Sequence, residues 1–359
     1  MDDGNDWGGR DGRGGRDDRD DRGGRGGRGD HNRMGAAVTE VVVAGVGADT
    51  LQTLVAAGER ARDYAQQARA ANTRRAYRAD WADFTAWCRD RHLAALPAAP
   101  GTVALYLSDL AMSRKTSTLQ RRLSAISQAH KAADLETPTG HRAVRAVWSG
   151  IRRVKGTAQE AKAPAVTRDL RAMVATLPAT LPGLRDRALL LLGFAGAFRR
   201  SELVGLDIAD VTTTRDGLVV NLRRSKTDQE GEGRRIGIPY GSRPATCPVR
   251  AVQDWLTAAK ITAGPVFRGV NRHGQIGKTR LSDRSVALIV KRAATAAGLD
   301  PARYAGHSLR AGLATSAAAA GVSERAIMAQ TGHKSLPMVR RYIRDGSLFN
   351  ENAAAEVGL

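Results

Sequence analysis

Cysteine is almost absent from this chain. Cys88 and Cys247 are the only two in 359 residues and lie far apart, which excludes a disulfide-stapled scaffold and points to a reducing interior. Long apolar runs are scarce too: the longest, at 188–198, has 11 residues, against the roughly 20 that cross a bilayer. No secretory leader is visible at the Asp/Arg/Gly-rich N-terminus. Also missing are a paired-carboxylate metal cluster, a phosphate-cradling Gly-Lys loop, Cys/His spacing for zinc and any repeat of solenoid period. Together these absences predict a soluble cytoplasmic protein, nucleoid-associated if prokaryotic, with no membrane partner, no metal and no cofactor.

What the chain has in excess is positive charge. Lys and Arg number 56 against 36 Asp and Glu, a formal net charge of +20, with Arg far outnumbering Lys. Such an excess calls for a polyanionic partner. Its distribution is uneven: residues 1–35 carry 8 basic and 9 acidic side chains, residues 36–163 carry 19 and 11, and residues 164–359 carry 29 and 16. Two basic regions therefore follow a tail with no positive excess, and nucleic acid is expected to touch both, as a clamp would. A coding bias toward Arg and Ala is the competing explanation of the same charge.

The length accommodates two domains, each with its own core. Residues 1–48 are expected to form a disordered tail: positions 1–35 hold 12 Gly and almost nothing apolar. The Gly-Gly-Arg steps at 23–28 could bind nucleic acid non-specifically, but interleaved Asp favours a solvating role, and Met34 offers an alternative start. From 49 to 154 the periodicity is helical, with Tyr77, Trp81, Phe84 and Cys88 as an apolar stripe and Asn72 or Thr73 as its cap. Further runs near 102–112, 118–133 and 142–154, separated by Pro97, Pro100 and Pro138, predict an all-α domain. Its exposed faces carry the DNA-binding candidates Arg114, Lys115, Arg121, Arg122, Arg152 and Arg153, for which a merely solvated face is the alternative. Residues 155–166 read as a linker. Residues 167–346 read as a mixed α/β domain: Thr167 as a helix N-cap, helices near 168–177, 184–195 and 248–260, a β-hairpin from 218–222 and 234–238, then helices after 282. Residues 347–359 form a C-terminal tail. The fold class is thus mainly α with a small β-sheet.

Breaking a phosphodiester without a metal requires a nucleophile, cationic groups for the non-bridging oxygens and an acid for the leaving alkoxide. The second domain offers each. Arg199 stands where an apolar helix ends, with Glu202 three residues on and able to orient a guanidinium. Lys226 sits at the hairpin tip, where a long cation reaches into a groove. Arg310 follows His307 by one helical turn, so both project from the same face. Thr331-Gly332-His333 precedes Tyr342, nine residues beyond His333. Singly, each has a bland reading: a surface cation, a capping histidine, a helix-end histidine, an amphipathic core tyrosine.

In order and spacing, the set resembles the tyrosine recombinase (phage integrase) family, across nearly all of residues 50–350. The resemblance implies a helical core-binding, SAM-like N-terminal domain and a catalytic domain that close on DNA as a C-shaped clamp. It casts Arg199 and Arg310 as the arginines that bind the scissile phosphate, Lys226 as the acid for the leaving 5′ oxygen, and His307 and His333 as groups that move protons or bond the phosphate. Tyr342 becomes the nucleophile that forms a 3′-phosphotyrosine, and Glu202 the acidic support. The implied function is a site-specific DNA recombinase needing neither ATP nor metal. Relaxation of DNA in the manner of a type IB topoisomerase, or an idle architectural DNA-binding role, are the alternatives. The implied partners are double-stranded DNA and a synaptic tetramer, with the tail at 347–359 either exchanged between protomers or frayed. No arm-type module precedes residue 50, which implies a single class of binding site. Two positions depart from the family pattern: Arg200 replaces a small or apolar residue and is a further DNA-binding candidate, and Pro337 stands where a Thr pair is common and is expected to open the helix of Tyr342.

Overall fold

The computed structural model describes residues 48–67, 70–157, 162–223, 233–333 and 335–346. The N-terminal tail up to residue 47, Lys226 and the C-terminal tail at 347–359 lie outside the described residues. Contacts divide the chain between Gln159 and Glu160 into two units.

The first unit holds α1 (Ala48–Gln67), α2 (Ala71–Arg89), α3 (Pro100–Ala111), α4 (Thr116–Ala132) and α5 (Arg142–Lys155). On α2 the spacing of Trp81, Phe84 and Cys88 stacks them on one side. They meet Val103, Tyr106 and Leu107 of α3, Leu119, Leu123 and Ile126 of α4, and Val144 of α5. Pro100 opens α3 because the first helical N–H needs no acceptor. The N-cap of α2 is Ala70, with no side-chain cap; Asn72 and Thr73, the expected caps, lie inside the first turn. Buried His130 joins α4 to the segment before α3. Its Nε2 accepts the Ala98 N–H at 2.9 Å, so the ring proton sits on Nδ1, which donates to the Ile126 carbonyl at 2.9 Å.

Arg122 corrects the assignment of that residue to an exposed face. It continues the Leu119–Leu123–Ile126 stripe inward, is 7% exposed, and pairs with the Tyr106 hydroxyl and Asp83. Burial lowers the proton affinity of its guanidinium. Arg121 grips buried Asp80 with Nε and Nη2 at 2.7 and 3.0 Å. Arg114, Lys115, Arg152 and Arg153 are exposed.

The second unit comprises α6 (Thr167–Ala175), α7 (Leu181–Ala195), α8 (Arg200–Gly205), β1 (Val211–Thr214), β2 (Gly217–Leu222), β3 (Arg234–Pro239), α9 (Pro248–Ala258), β4 (Arg268–Val270), β5 (Ile276–Arg280), α10 (Asp283–Ala296), α11 (Ser308–Ala319), α12 (Glu324–Thr331) and α13 (Leu336–Gly346). Because α7 is apolar all round from Ala188 to Leu192, it lies in the middle of the core, among Phe198, Leu203, Trp255, Phe267 and Val290. Strands β1, β2 and β3 form an antiparallel sheet in which Val220 lies between Val211 and Ile236. A second ribbon pairs β4 with β5.

The stretch read as linker does not stay free at its C-terminal end. The Ala163 and Ala165 N–H groups donate to the carbonyls of Arg303 and Ser308 at 2.8 and 2.9 Å, and Ala165 is fully buried. Gly312 on α11 makes this possible, since a Cβ there would run into the Ala165 carbonyl. Thr167 is the first residue of α6 and Val166 its N-cap, a shift of one position from the expectation. The Thr167 N–H donates to Ser316 Oγ at 3.1 Å, so the strap is fixed to α11 twice. Helices α11, α12 and α13 pack through a small cluster of Ala314, Ala318, Ile327 and Val339, with Tyr342 and Ile343 partly buried against it.

Candidate active site

Arg199 reaches the site from a strained turn. After α7, Ala197 adopts φ 48°, a left-handed conformation disfavoured for a residue with a Cβ. The chain then extends through Arg199, the N-cap of α8. Glu202, buried in the first turn, accepts the Arg199 backbone N–H through Oε2 at 2.8 Å and the guanidinium Nη1 through Oε1 at 2.5 Å. One carboxylate therefore caps the helix and orients the arginine. Arg200, the next residue, is exposed and lies 3.8 Å from Asp283.

The strained carbonyl has a partner. Arg310, on the first turn of α11 and only 1% exposed, donates from Nη1 to the Ala197 oxygen at 2.8 Å. Its Nη2 is buried without a hydrogen-bond partner among the described residues. Burial and the neighbouring charge of Arg199 push its pKa down to about 10, so it stays cationic at neutral pH. A buried cationic nitrogen with no acceptor is costly unless an anion arrives to accept from it.

His307 precedes α11 and is exposed. Its Nε2 lies 2.9 Å from the Tyr342 hydroxyl. His333 follows the left-handed Gly332 that ends α12, and is 8% exposed. The Thr331 hydroxyl donates to the Ile327 carbonyl at 2.7 Å, which leaves it an acceptor for His333 Nδ1, also at 2.7 Å. The ring proton of His333 is thereby assigned to Nδ1. Burial, Arg310 and Arg199 lower its pKa to about 4. Tyr342, on α13, stands between the two histidines, with ring centroids 6.5 Å from His307 and 5.8 Å from His333. Pro337 is the second residue of α13 rather than the first, still within the turn where an N–H is dispensable.

Five of the six residues singled out from the sequence are described. Tyr342 stands with His307 and His333, and Arg310 exchanges charge effects with Arg199, His333 and Tyr342. Sequence reasoning missed Arg234, the first residue of β3. Its charge depresses the proton affinity of both Arg310 and His333, and burial lowers its own. The available signal was strand alternation: Arg234 shares a face with buried Ile236 and Ile238, where a cation needs a reason to be.

A family model described as the phage integrase family matches residues 167–347. The chain belongs to the phage integrase family of tyrosine recombinases. Among curated relatives of the chain is an integrase/recombinase xerD homolog of Selenomonas ruminantium, 46% identical over 292 residues, covering 80% of this chain and 86% of that protein. The recombinase cre of Escherichia phage P1 is 25% identical over 283 residues, covering 73% and 80%. The tyrosine recombinase XerD of Xanthomonas axonopodis pv. citri (strain 306) is 32% identical over 166 residues, 45% of this chain and 52% of that protein. Among the described residues, no group of His, Cys, Asp or Glu is arranged to hold a metal, and no helix is long and apolar enough to cross a membrane.

Proposed function

We propose that this tyrosine recombinase cuts and rejoins double-stranded DNA at specific sites through a covalent phosphotyrosine. The observation that carries the reading is the Tyr342 hydroxyl, 2.9 Å from His307 Nε2, in a site whose buried Arg310 keeps an Nη2 without a partner among the described residues. Tyr342 Oη attacks phosphorus as His307 Nε2 accepts its proton, and the bond from phosphorus to the 5′ oxygen breaks. Lys226 gives that oxygen a proton. Arg199 and Arg310 hold the non-bridging oxygens, a task suited to planar, permanently charged forks. Burial and the arginine charges hold His333 neutral; a bound phosphate offsets those charges, and the ring, on taking a second proton, donates to it through Nε2. One phosphoester replaces another, so the 5′-hydroxyl of the same or another strand reverses the step and no ATP is consumed.

The test uses nicked half-site DNA selected from a random pool by binding to the full chain, resolved on a denaturing gel. Wild type is expected to trap a covalent adduct, and Tyr342→Phe none. Arg199→Ala and Arg310→Ala are expected to bind the DNA yet cleave about 100- to 1,000-fold more slowly, the usual loss when one preorganised donor to a transition-state oxyanion is removed. Absence of an adduct with wild type would overturn the proposal, and an adduct with Tyr342→Phe would move the nucleophile elsewhere.

Self-association belongs to the same reading. A groove of about 490 Å³ in the second unit is lined by Leu170, Leu191, Phe194, Pro239, Leu313 and Ile327, among others. The occupant proposed is the tail of a neighbouring copy, whose sequence supplies Leu348, Phe349, Val357 and Leu359. A chain ending at Gly346 should still form the adduct on half-sites but sediment as a smaller complex on paired full sites. Unchanged sedimentation would remove the tail from assembly.

A further inference from the structure

We propose that Arg234 is a positioning residue of this site, setting the turn that presents His333; the proposal rests on the recombinase reading above. Arg234 Nη1 donates to the carbonyls of Ala329 and Gln330 at 3.2 and 3.1 Å. These lie in the last turn of α12, where carbonyls lack a partner within the helix and where a cation meets the negative end of the helix dipole. The same guanidinium fills the space beside Gly332. A Cβ at that position would stand 2.6 Å from both Cζ and Nη1 of Arg234, and 3.0 Å from Nε.

Gly332 is the left-handed residue that ends α12, with φ 67° and ψ 35°, and the next residue is His333. One side chain from β3 therefore ties off the helix, occupies the volume that a side chain at 332 would need, and fixes the direction in which the backbone leaves for His333. A second clasp supports it: Gln330 Nε2 donates to the Ala195 carbonyl of α7 at 2.8 Å and to the Gly237 carbonyl of β3 at 3.2 Å. The Nη2 of Arg234 is buried and unpartnered among the described residues, like that of Arg310. A simple helix cap does not need that arrangement; in a site that awaits an anion, a second buried cationic nitrogen adds to the field felt by the phosphate.

Arg234→Ala and Arg234→Lys in the full chain are compared with wild type for single-turnover cleavage of the nicked half-site, for binding of the same DNA, and by NMR titration of the His333 ring. Arg234→Ala should bind within about threefold of wild type and cleave roughly 100-fold more slowly, the scale of loss that a small misplacement of a reacting group produces. Arg234→Lys, whose single ammonium can donate to both carbonyls but cannot fill the space beside Gly332 with a planar guanidinium, should recover part of that rate. In both variants the His333 titration should leave its wild-type position, rising above about 4 in Arg234→Ala because a neighbouring cation is gone. Wild-type cleavage together with wild-type titration in the two variants overturns the proposal. If Arg234→Ala does not fold, the same two readings on Arg234→Lys decide it. The titration needs no reaction, so a wild-type chain that forms no adduct defeats the recombinase reading alone.

Discussion

His333 shows how one residue links the site to the stability of the fold. In the unfolded chain it takes up a proton near pH 6.5, while the native ring resists protonation until about pH 4. Between those values the unfolded state binds more protons, so stability is fully present above pH 6.5 and is lost as pH falls through the window. The loss should reach at most about 3 kcal/mol. Denaturant titrations at a series of pH values should show a shallower acid slope for His333→Gln than for wild type; identical slopes would mean that the ring is protonated in the native state. At this scale the sequence was legible where a motif fixed spacing: His307, Arg310 and His333 could be named from their intervals. Arg234 could not, because its role depends on the bare Cα of Gly332, 98 positions away in the chain. Arg122 misled for a related reason, since its charge outweighed the apolar stripe that carries it inward.

At the scale of elements, the strap at 162–166 and α11 depend on each other. Gly312→Ala should lower stability by about 1–3 kcal/mol, the usual effect of overpacking, because the new methyl meets a backbone carbonyl that cannot rotate away. The midpoint of chemical denaturation checks this; an unchanged midpoint would mean that the strap moves aside freely. Elements with a strong period were readable. The hairpin of β2 and β3 showed alternation, and α7 showed an unbroken apolar run. Strands β1, β4 and β5 were not, since Val-Thr-Thr-Thr, Arg-Gly-Val and Ile-Gly-Lys-Thr-Arg bury no residue fully and carry little apolar patterning. The strap was hidden for another reason. Small residues without periodicity look like a linker until a partner helix with a matching gap is known.

For the whole molecule, the charge of +20 becomes a statement about salt. Each phosphate neutralised adds about 0.9 to the slope of log affinity against log salt concentration. Arg152 and Arg153, exposed at the end of α5, are expected to contribute: replacing either with Ala should lower the slope by about 1 without changing sequence preference. Arg122→Ala should leave the slope alone and instead destabilise the first unit by about 1–3 kcal/mol, because it removes the donor to the buried Tyr106 hydroxyl and to part-exposed Asp83. Slopes measured by fluorescence anisotropy, beside unfolding curves for the same proteins, separate the two classes of arginine. Composition announced a polyanion and two basic regions. It could not sort arginines that meet a ligand from those that meet the fold.

The helix that carries Tyr342 rests on a narrow footing. Among its described side chains only Val339 is fully buried, and its neighbours in that cluster, Ala314, Ala318 and Ile327, are small or few. Little apolar area would be lost if such a helix lifted away, although Arg340 pairs with Glu324 of α12, and hydrogen exchange is expected to show α13 opening before α7 and the core around it. For the proposed reaction, reactivity becomes a matter of occupancy. On the proposed reading the hydroxyl would act as a nucleophile only for the fraction of time that α13 is docked beside His307, and whatever steadies that docking would set the rate without touching the phosphate.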